Sequence, residues 1–212
     1  MSNLKGKIPV LASSLIPTYD FVDVEEGIGV TTYYAYTSED TGGTVYNLTR
    51  SQPFSYTISS DTGTLSGTES VFNFTTPAFN LPRVLKGTPL ITLTWRVTNS
   101  SGSNDNHLII RLIHVTSGGT ETIISTATGL SYSSANGTMK TTALKLATIT
   151  TPQLVKEGEF VRLEVAMVAD TAGSTPVGHL AHDPQNRDDA TFTTGNFDTT
   201  TLIFYVPFRI DR

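Results

Sequence analysis

The 212-residue chain contains no cysteine, which excludes disulfide bonds, thiolate catalysis and cysteine-bound metal sites. Charged residues make up only 16% of it, below the value of about 25% that is usual for soluble domains. The net charge is -5, whereas a nucleic-acid-binding surface needs a basic face. No apolar run approaches the roughly 20 residues of a transmembrane helix. Composition therefore predicts neither a nucleic-acid partner nor a membrane span.

Recognisable catalytic motifs are also missing. No G-x-S-x-G elbow occurs, no glycine-rich phosphate loop leads from a strand into a helix, and the glutamates are scattered. The N-terminal apolar stretch, residues 8–16, is short and broken by Pro9, so we expect no secretory signal. From these absences we predict a protein that is not an enzyme, that takes no cofactor, and that is made in the cytoplasm.

What is abundant favours β-structure: about one residue in six is threonine, which is β-branched and common in strands. Residues 90–98 alternate strictly between apolar side chains and threonine or arginine, which predicts a strand with one buried face. We expect its core residues to be Ile91, Leu93, Trp95 and Val97. Gly42-Gly43 and Asn136-Gly137 are typical of turns between strands.

Four segments depart from this pattern. Residues 1–25 have no clean period and predict an extended N-terminal arm, so the domain proper spans 26–212. Residues 170–200 carry little strand signal and predict a long loop. Residues 151–158 have the signals of a single helical turn, and Pro207 predicts that the last strand lies at an edge or is interrupted. The apolar residues of the arm that are expected to serve assembly are Ile8, Val10, Leu11, Leu15, Ile16, Phe21 and Val22.

We consider three sets of side chains as candidate functional sites. Histidine and aspartate bind divalent metals, so a first candidate set is His179, His182 and Asp183. The favoured interpretation of these residues is a polar loop whose side chains cap turns or contact other subunits. Tyr33, Tyr34 and Tyr36 would suit sugar stacking, yet strand alternation puts Tyr33 on the opposite face, which fits core packing better. A Ser/His/Asp triad stays open because serines are many, although nothing in the sequence locates one.

One stretch carries a family resemblance. Residues 141–167 place an extended strand before a short connector and a K-x-G-x-x-[VIL]-x-[VIL] strand entry at 156–163. This pattern resembles a strand pair of jelly-roll domains, including phage and viral surface proteins and the heads of trimeric fibres. The resemblance implies a two-sheet antiparallel jelly-roll-like β-sandwich, which agrees with the roughly ten strands expected from the pattern above.

Taken together, these features predict a non-enzymatic virion structural protein, most specifically a capsid decoration (cement) or capsid-surface protein of a tailed phage or similar virus. The expected partners are copies of itself, with a trimer favoured, and a major capsid or other virion protein; a glycan is possible. The expected location is the virion, assembled in the host cytoplasm. The alternatives are a receptor- or carbohydrate-binding fibre head and, with less support, a cupin-like metal enzyme.

Overall fold

The computed structural model describes residues 28–65, 69–98, 104–134, 140–169, 176–187 and 199–209, and these contain strands and no helix. The predicted arm, residues 1–25, with all its assembly residues, lies outside the described residues. Within the described part, none of the chain forms a helix that could span a membrane. The strands are β1 (Ile28–Asp40), β2 (Gly43–Thr49), β3 (Ser59–Thr64), β4 (Ser70–Thr75), β5 (Arg83–Gly87), β6 (Leu90–Thr98), β7 (Asn104–Val115), β8 (Glu121–Thr128), β9 (Tyr132–Ser134), β10 (Lys140–Lys145), β11 (Ile149–Val155), β12 (Phe160–Ala169), β13 (Val177–Ala181) and β14 (Ile203–Arg209).

The strands hydrogen-bond in the order β3-β13-β6-β14-β1-β2-β4-β12-β7-β8. Four further strands pair with members of this series or with each other: β10 with β6, β5 with β14, β11 with β5, and β9 with β7. Every pair is antiparallel except a single parallel bridge between β2 and β4. Side chains from the β6 half and from the β7 half enter one hydrophobic cluster. This arrangement is a β-sandwich of jelly-roll type and confirms the predicted fold class.

Strand β6 runs through the core. Ile91 and Leu93 are fully buried, Trp95 and Val97 nearly so, and all four belong to the hydrophobic cluster. The indole Nε1 of Trp95 donates a hydrogen bond of 3.0 Å to Thr142 Oγ1 on β10. Burial is broader than strict alternation predicts, because threonines 92 and 94 on the opposite face are also buried. Strand β10, paired along β6, contributes to that cover: Thr94 Oγ1 lies 3.0 Å from Thr141 Oγ1.

Three local predictions need revision. The expected helical turn at 151–158 does not form: residues 151–155 belong to strand β11, and 156–158 lie in the turn to β12. The register of β11 with β5 shifts between Ile149 and Gln153, around Pro152. The expected loop at 170–200 contains strand β13, and residues 170–175 and 188–198 lie outside the described ranges. Pro207 does not put β14 at an edge, since β1 and β6 flank it. Its pairing with β6 ends at Tyr205 and β5 meets it at Phe208, so the strand is interrupted near the proline on that side.

Candidate active site

Strand β13 lies between β3 and β6, and it carries His179. In register, His179 pairs with Asp61 on β3 and with Arg96 on β6. Cross-strand partners and their diagonal neighbours share one face of a sheet, and Thr98 lies two residues beyond Arg96 on that face. Three adjacent strands therefore bring a carboxylate, an imidazole and a hydroxyl together.

The three side chains form a linear hydrogen-bonded relay. His179 Nδ1 lies 2.5 Å from Asp61 Oδ1, and His179 Nε2 lies 2.8 Å from Thr98 Oγ1. A carboxylate only accepts hydrogen bonds, so the tautomer that fits both contacts has its proton on Nδ1, facing Asp61, and its Nε2 lone pair facing the Thr98 hydroxyl. A nucleophile, a base and a group that orients the base thus stand in sequence, which is the geometry of an activated hydroxyl.

The relay is only partly enclosed. The His179 side chain is 10% exposed and the Asp61 side chain 60% exposed, so the carboxylate end faces solvent and the imidazole is covered. The Thr98 hydroxyl also lies 3.4 Å from the carbonyl oxygen of Val177, a longer contact than the one to His179. The hydroxyl can therefore reach both acceptors, and the shorter distance favours the imidazole nitrogen.

Gly178 sets the position of the histidine strand. A Cβ built at this residue would lie 2.5 Å from the sulfur of Met167, whose side chain is fully buried. Its backbone N–H donates a hydrogen bond of 2.8 Å to Thr62 Oγ1 on β3. The absence of a side chain lets β13 lie close over the core beside the relay, so the residue next to His179 contributes to its placement.

A second histidine makes a similar contact in a different environment. His182 is fully buried, its Nε2 lies 2.8 Å from Ser60 Oγ, and its ring packs about 6 Å from the rings of Tyr46 and Phe74. Its backbone N–H donates to the carbonyl of Ile58. This enclosed, aromatic setting is that of a core histidine whose Nε2 is hydrogen-bonded to a hydroxyl.

Asp183 belongs to a separate hydrogen-bonded group. It is fully buried and accepts hydrogen bonds from the backbone N–H and the Nε of Arg187, at 2.8 and 3.0 Å. Arg187 also donates to the carbonyl of Ser55, which ties the segment after β13 to the segment before β3. His179, His182 and Asp183 thus have different partners. In the described part of the chain, no group of three or more histidine and carboxylate side chains could hold a metal ion.

Another histidine–carboxylate pair lies across the sandwich. His114 Nε2 on β7 is 2.8 Å from Glu159 Oε2, which also accepts the backbone N–H of Lys156 at 2.8 Å. The backbone donor, and after it the histidine, hold the pKa of Glu159 below its ordinary value. Among the described residues, no hydroxyl bonds to the other nitrogen of His114. This pair therefore caps the β11–β12 turn and resembles only half of the relay.

Sequence reasoning named one member of the relay, His179, but for a metal site. It missed the other two because Asp61 and Thr98 lie 118 and 81 residues away along the chain. If the sequence had revealed that β13 pairs with both β3 and β6, the three residues could have been predicted as neighbours. However, β13 has too little apolar alternation to be recognised as a strand.

No protein-family model and no curated protein sequence matches the chain. Solved structures do share its fold. An α-amino acid ester hydrolase superposes with a TM-score of 0.57 at 13% identity, over 84% of this chain and 36% of the hydrolase. An aminopeptidase from a marine sediment archaeon of the Thaumarchaeota gives 0.58 at 8% identity, over 84% and 37%. A CocE/NonD family hydrolase from Staphylococcus aureus gives 0.51 at 13%, over 87% and 37%.

A chain of infectious bursal disease virus also matches, at 13% identity over 96% of this chain and 42% of the viral one, but its TM-score of 0.32 is too low to carry an argument. The prediction of a non-enzymatic virion structural protein is therefore wrong, since the three structures named above, with TM-scores above 0.5, are an ester hydrolase, an aminopeptidase and a CocE/NonD family hydrolase. This chain spans little more than a third of their length. At these identities the likeness shows the fold alone. The expected partners and the virion location stay predictions.

Proposed function

We propose that the protein hydrolyses an ester or amide bond, with Thr98 as the nucleophile, His179 as the general base and Asp61 as the residue that orients the base. The observation that carries this proposal is the unbroken hydrogen-bonded sequence from Asp61 through His179 to Thr98. The names of two structures with the same fold, an ester hydrolase and an aminopeptidase, support the choice of bond.

The chemistry follows from the positions of the protons. His179 Nε2 takes the proton of Thr98 Oγ1 as that oxygen attacks the carbonyl carbon of the substrate. The negatively charged Asp61 stabilises the imidazolium that forms. When the bond to the leaving group breaks, His179 donates the proton to the leaving oxygen or nitrogen. Water, activated by the same imidazole, then releases the acyl group from Thr98 and restores the hydroxyl.

The coverage of the matched structures favours a second candidate. Because the chain matches only 36–37% of the hydrolase chains, it could form the β-sandwich part of a hydrolase that takes its nucleophile from another polypeptide unit. The missing G-x-S-x-G elbow agrees with this arrangement. The two candidates differ in one measurable respect, namely whether the isolated chain turns over an ester.

The test is a steady-state assay of the full chain with p-nitrophenyl acetate and an α-amino acid p-nitroanilide. We expect His179→Asn to lower kcat/KM by about 10²–10⁴-fold, the range for loss of a positioned base. Thr98→Val should abolish acylation, and Thr98→Ser should retain part of it. The matched controls are His114→Asn, a histidine in the other carboxylate pair, and Thr94→Val, a hydrogen-bonded hydroxyl on the same strand.

Intact-mass measurement after acid quench gives a second readout, since turnover through Thr98 should leave an acyl group on that residue. Activity equal in the His179→Asn variant and the wild type would refute the relay. No turnover by the isolated chain would refute it as well, and would favour the candidate in which a separate unit carries the nucleophile.

A further inference from the structure

A pocket of about 470 Å³ opens on a different part of the sandwich, lined by residues of β1, of the end of β2, of the segment after β4 and of the start of β5. Small-molecule sites typically have volumes of about 300–1,000 Å³. In the sheet, β1 is three strands from β13, so the pocket and the relay arise from different strands. Its lining includes Tyr33, Arg50, Phe79, Leu81 and Arg83.

The apolar wall is held by backbone hydrogen bonds. The N–H of Phe79 donates to the carbonyl of Glu159, and the N–H of Gly158 donates to the carbonyl of Phe79, at 2.9 Å each. The Phe79 ring also packs edge-on against Phe208, with the centroids 5.8 Å apart. These contacts fix the segment after β4 to the β11–β12 turn and so hold the apolar wall of the pocket in place.

The polar side of the pocket carries two positive charges without counter-ions. Neither Arg50 nor Arg83 makes an ion pair with a carboxylate anywhere in the described ranges, whereas Arg111, Arg162 and Arg187 all do. Arg50 lies over the Tyr33 ring, 5.9 Å from its centroid. A guanidinium group binds a carboxylate or a phosphate through two parallel hydrogen bonds, so an anion of either kind suits this wall of the pocket.

Tyr33 supplies an unused donor at the same place. The residue is 2% exposed, and in the described part of the chain its buried hydroxyl donates to no acceptor, because the nearby Arg50 guanidinium can itself only donate. Burial raises the pKa of this hydroxyl. The Arg50 guanidinium, first by donating toward the oxygen and then by its charge, and the charge of Arg83 only partly oppose that rise, so the group stays protonated at neutral pH. A buried hydroxyl proton without an acceptor is costly, which points to a ligand atom that accepts from it.

We propose that this pocket binds an organic carboxylate with an apolar body, the carboxylate meeting Arg50, Arg83 and Tyr33 and the apolar part lying against Phe79 and Leu81. The inference goes beyond the proposed hydrolytic function and is independent of it. The apolar wall distinguishes such a ligand from an inorganic anion, because burying apolar surface adds affinity that phosphate cannot gain.

Isothermal titration of the full chain with 3-phenylpropionate, with the neutral 3-phenylpropionamide and with inorganic phosphate tests the proposal. We expect the acid to bind, the amide to bind at least tenfold more weakly, and phosphate to bind more weakly than the acid. Arg50→Gln and Arg83→Gln should each weaken binding of the acid about tenfold or more. Arg162→Gln is the matched control, an arginine of β12 outside the pocket.

Tyr33→Phe tests the pocket without disturbing the fold, because it removes only the hydroxyl. Weaker binding by this variant is therefore not explained by misfolding. It should weaken binding of the acid while the melting temperature stays equal or rises. Equal affinity for acid and amide would overturn the proposal by showing a merely apolar pocket. Tighter binding of phosphate than of the acid, or no binding of the acid at millimolar concentration, would overturn it as well. None of these outcomes bears on the activity assay of the relay.

Discussion

Replacing Trp95 with alanine removes the largest side chain of strand β6 from the core. The residue is 3% exposed, and its ring belongs to the central hydrophobic cluster. Large-to-small changes of buried aromatic residues destabilise by about 3–5 kcal/mol, from lost burial and from the cavity that remains. The variant also loses the hydrogen bond from the indole to Thr142, so we expect a value in the upper half of that range.

For a chain of this length, 1 kcal/mol corresponds to about 2–4 °C in melting temperature, so the expected drop is about 8–20 °C. Trp95 is the only tryptophan, which means that the variant loses its own fluorescence signal. Unfolding is therefore followed by far-ultraviolet circular dichroism in urea for both proteins. In the wild type, the tryptophan emission should shift to the red at the same urea concentration.

Ile123→Ala is the matched control. It truncates a large apolar side chain on strand β8 that is 57% exposed, and it should change the free energy of unfolding by less than about 0.5 kcal/mol. A Trp95→Ala midpoint that coincides with that of the control would refute the reasoning, because it would mean that the ring does not stabilise the core.

Three further predictions concern stability and assembly. The pKa of Glu159 is lower in the folded protein than the ordinary glutamate pKa of about 4.3. Its contribution to stability is therefore complete above that ordinary pKa and is lost as the pH falls through the pKa of the folded state. Unfolding curves across pH 2–6 should show this loss of stability, and Glu159→Gln should make the loss smaller. Gly158 has a φ of 79° and open space at its Cβ, so Gly158→Ala should cost about 1–2 kcal/mol through strain, whereas Gly118→Ala should be near neutral in the same urea titration. Self-association, with a trimer favoured, should appear in sedimentation at micromolar concentration and weaken in a chain that begins at Glu26; a full-length monomer would contradict it.

Short-range patterns in the sequence determined the fold class. The alternation around Trp95 can be recognised from neighbouring residues alone, since successive side chains of a strand point to opposite faces. Low charge, abundant threonine and frequent glycine turns point to the same all-β architecture without any knowledge of strand order. Local signals failed where pairing overrode them: β11 accommodates Pro152 with a register shift, and β13 is a strand because β3 and β6 flank it.

Only the tertiary structure decided what the polar residues do. The relay joins Asp61, Thr98 and His179, which are far apart in sequence and meet because three strands are adjacent in the sheet. The pocket combines Tyr33 with arginines from two other segments. The sequence shows that these arginines are present, but it does not show whether carboxylates pair with them. Sequence periodicity reports which face of a strand is buried, whereas strand order, which is set by non-local pairing, decides which side chains become neighbours.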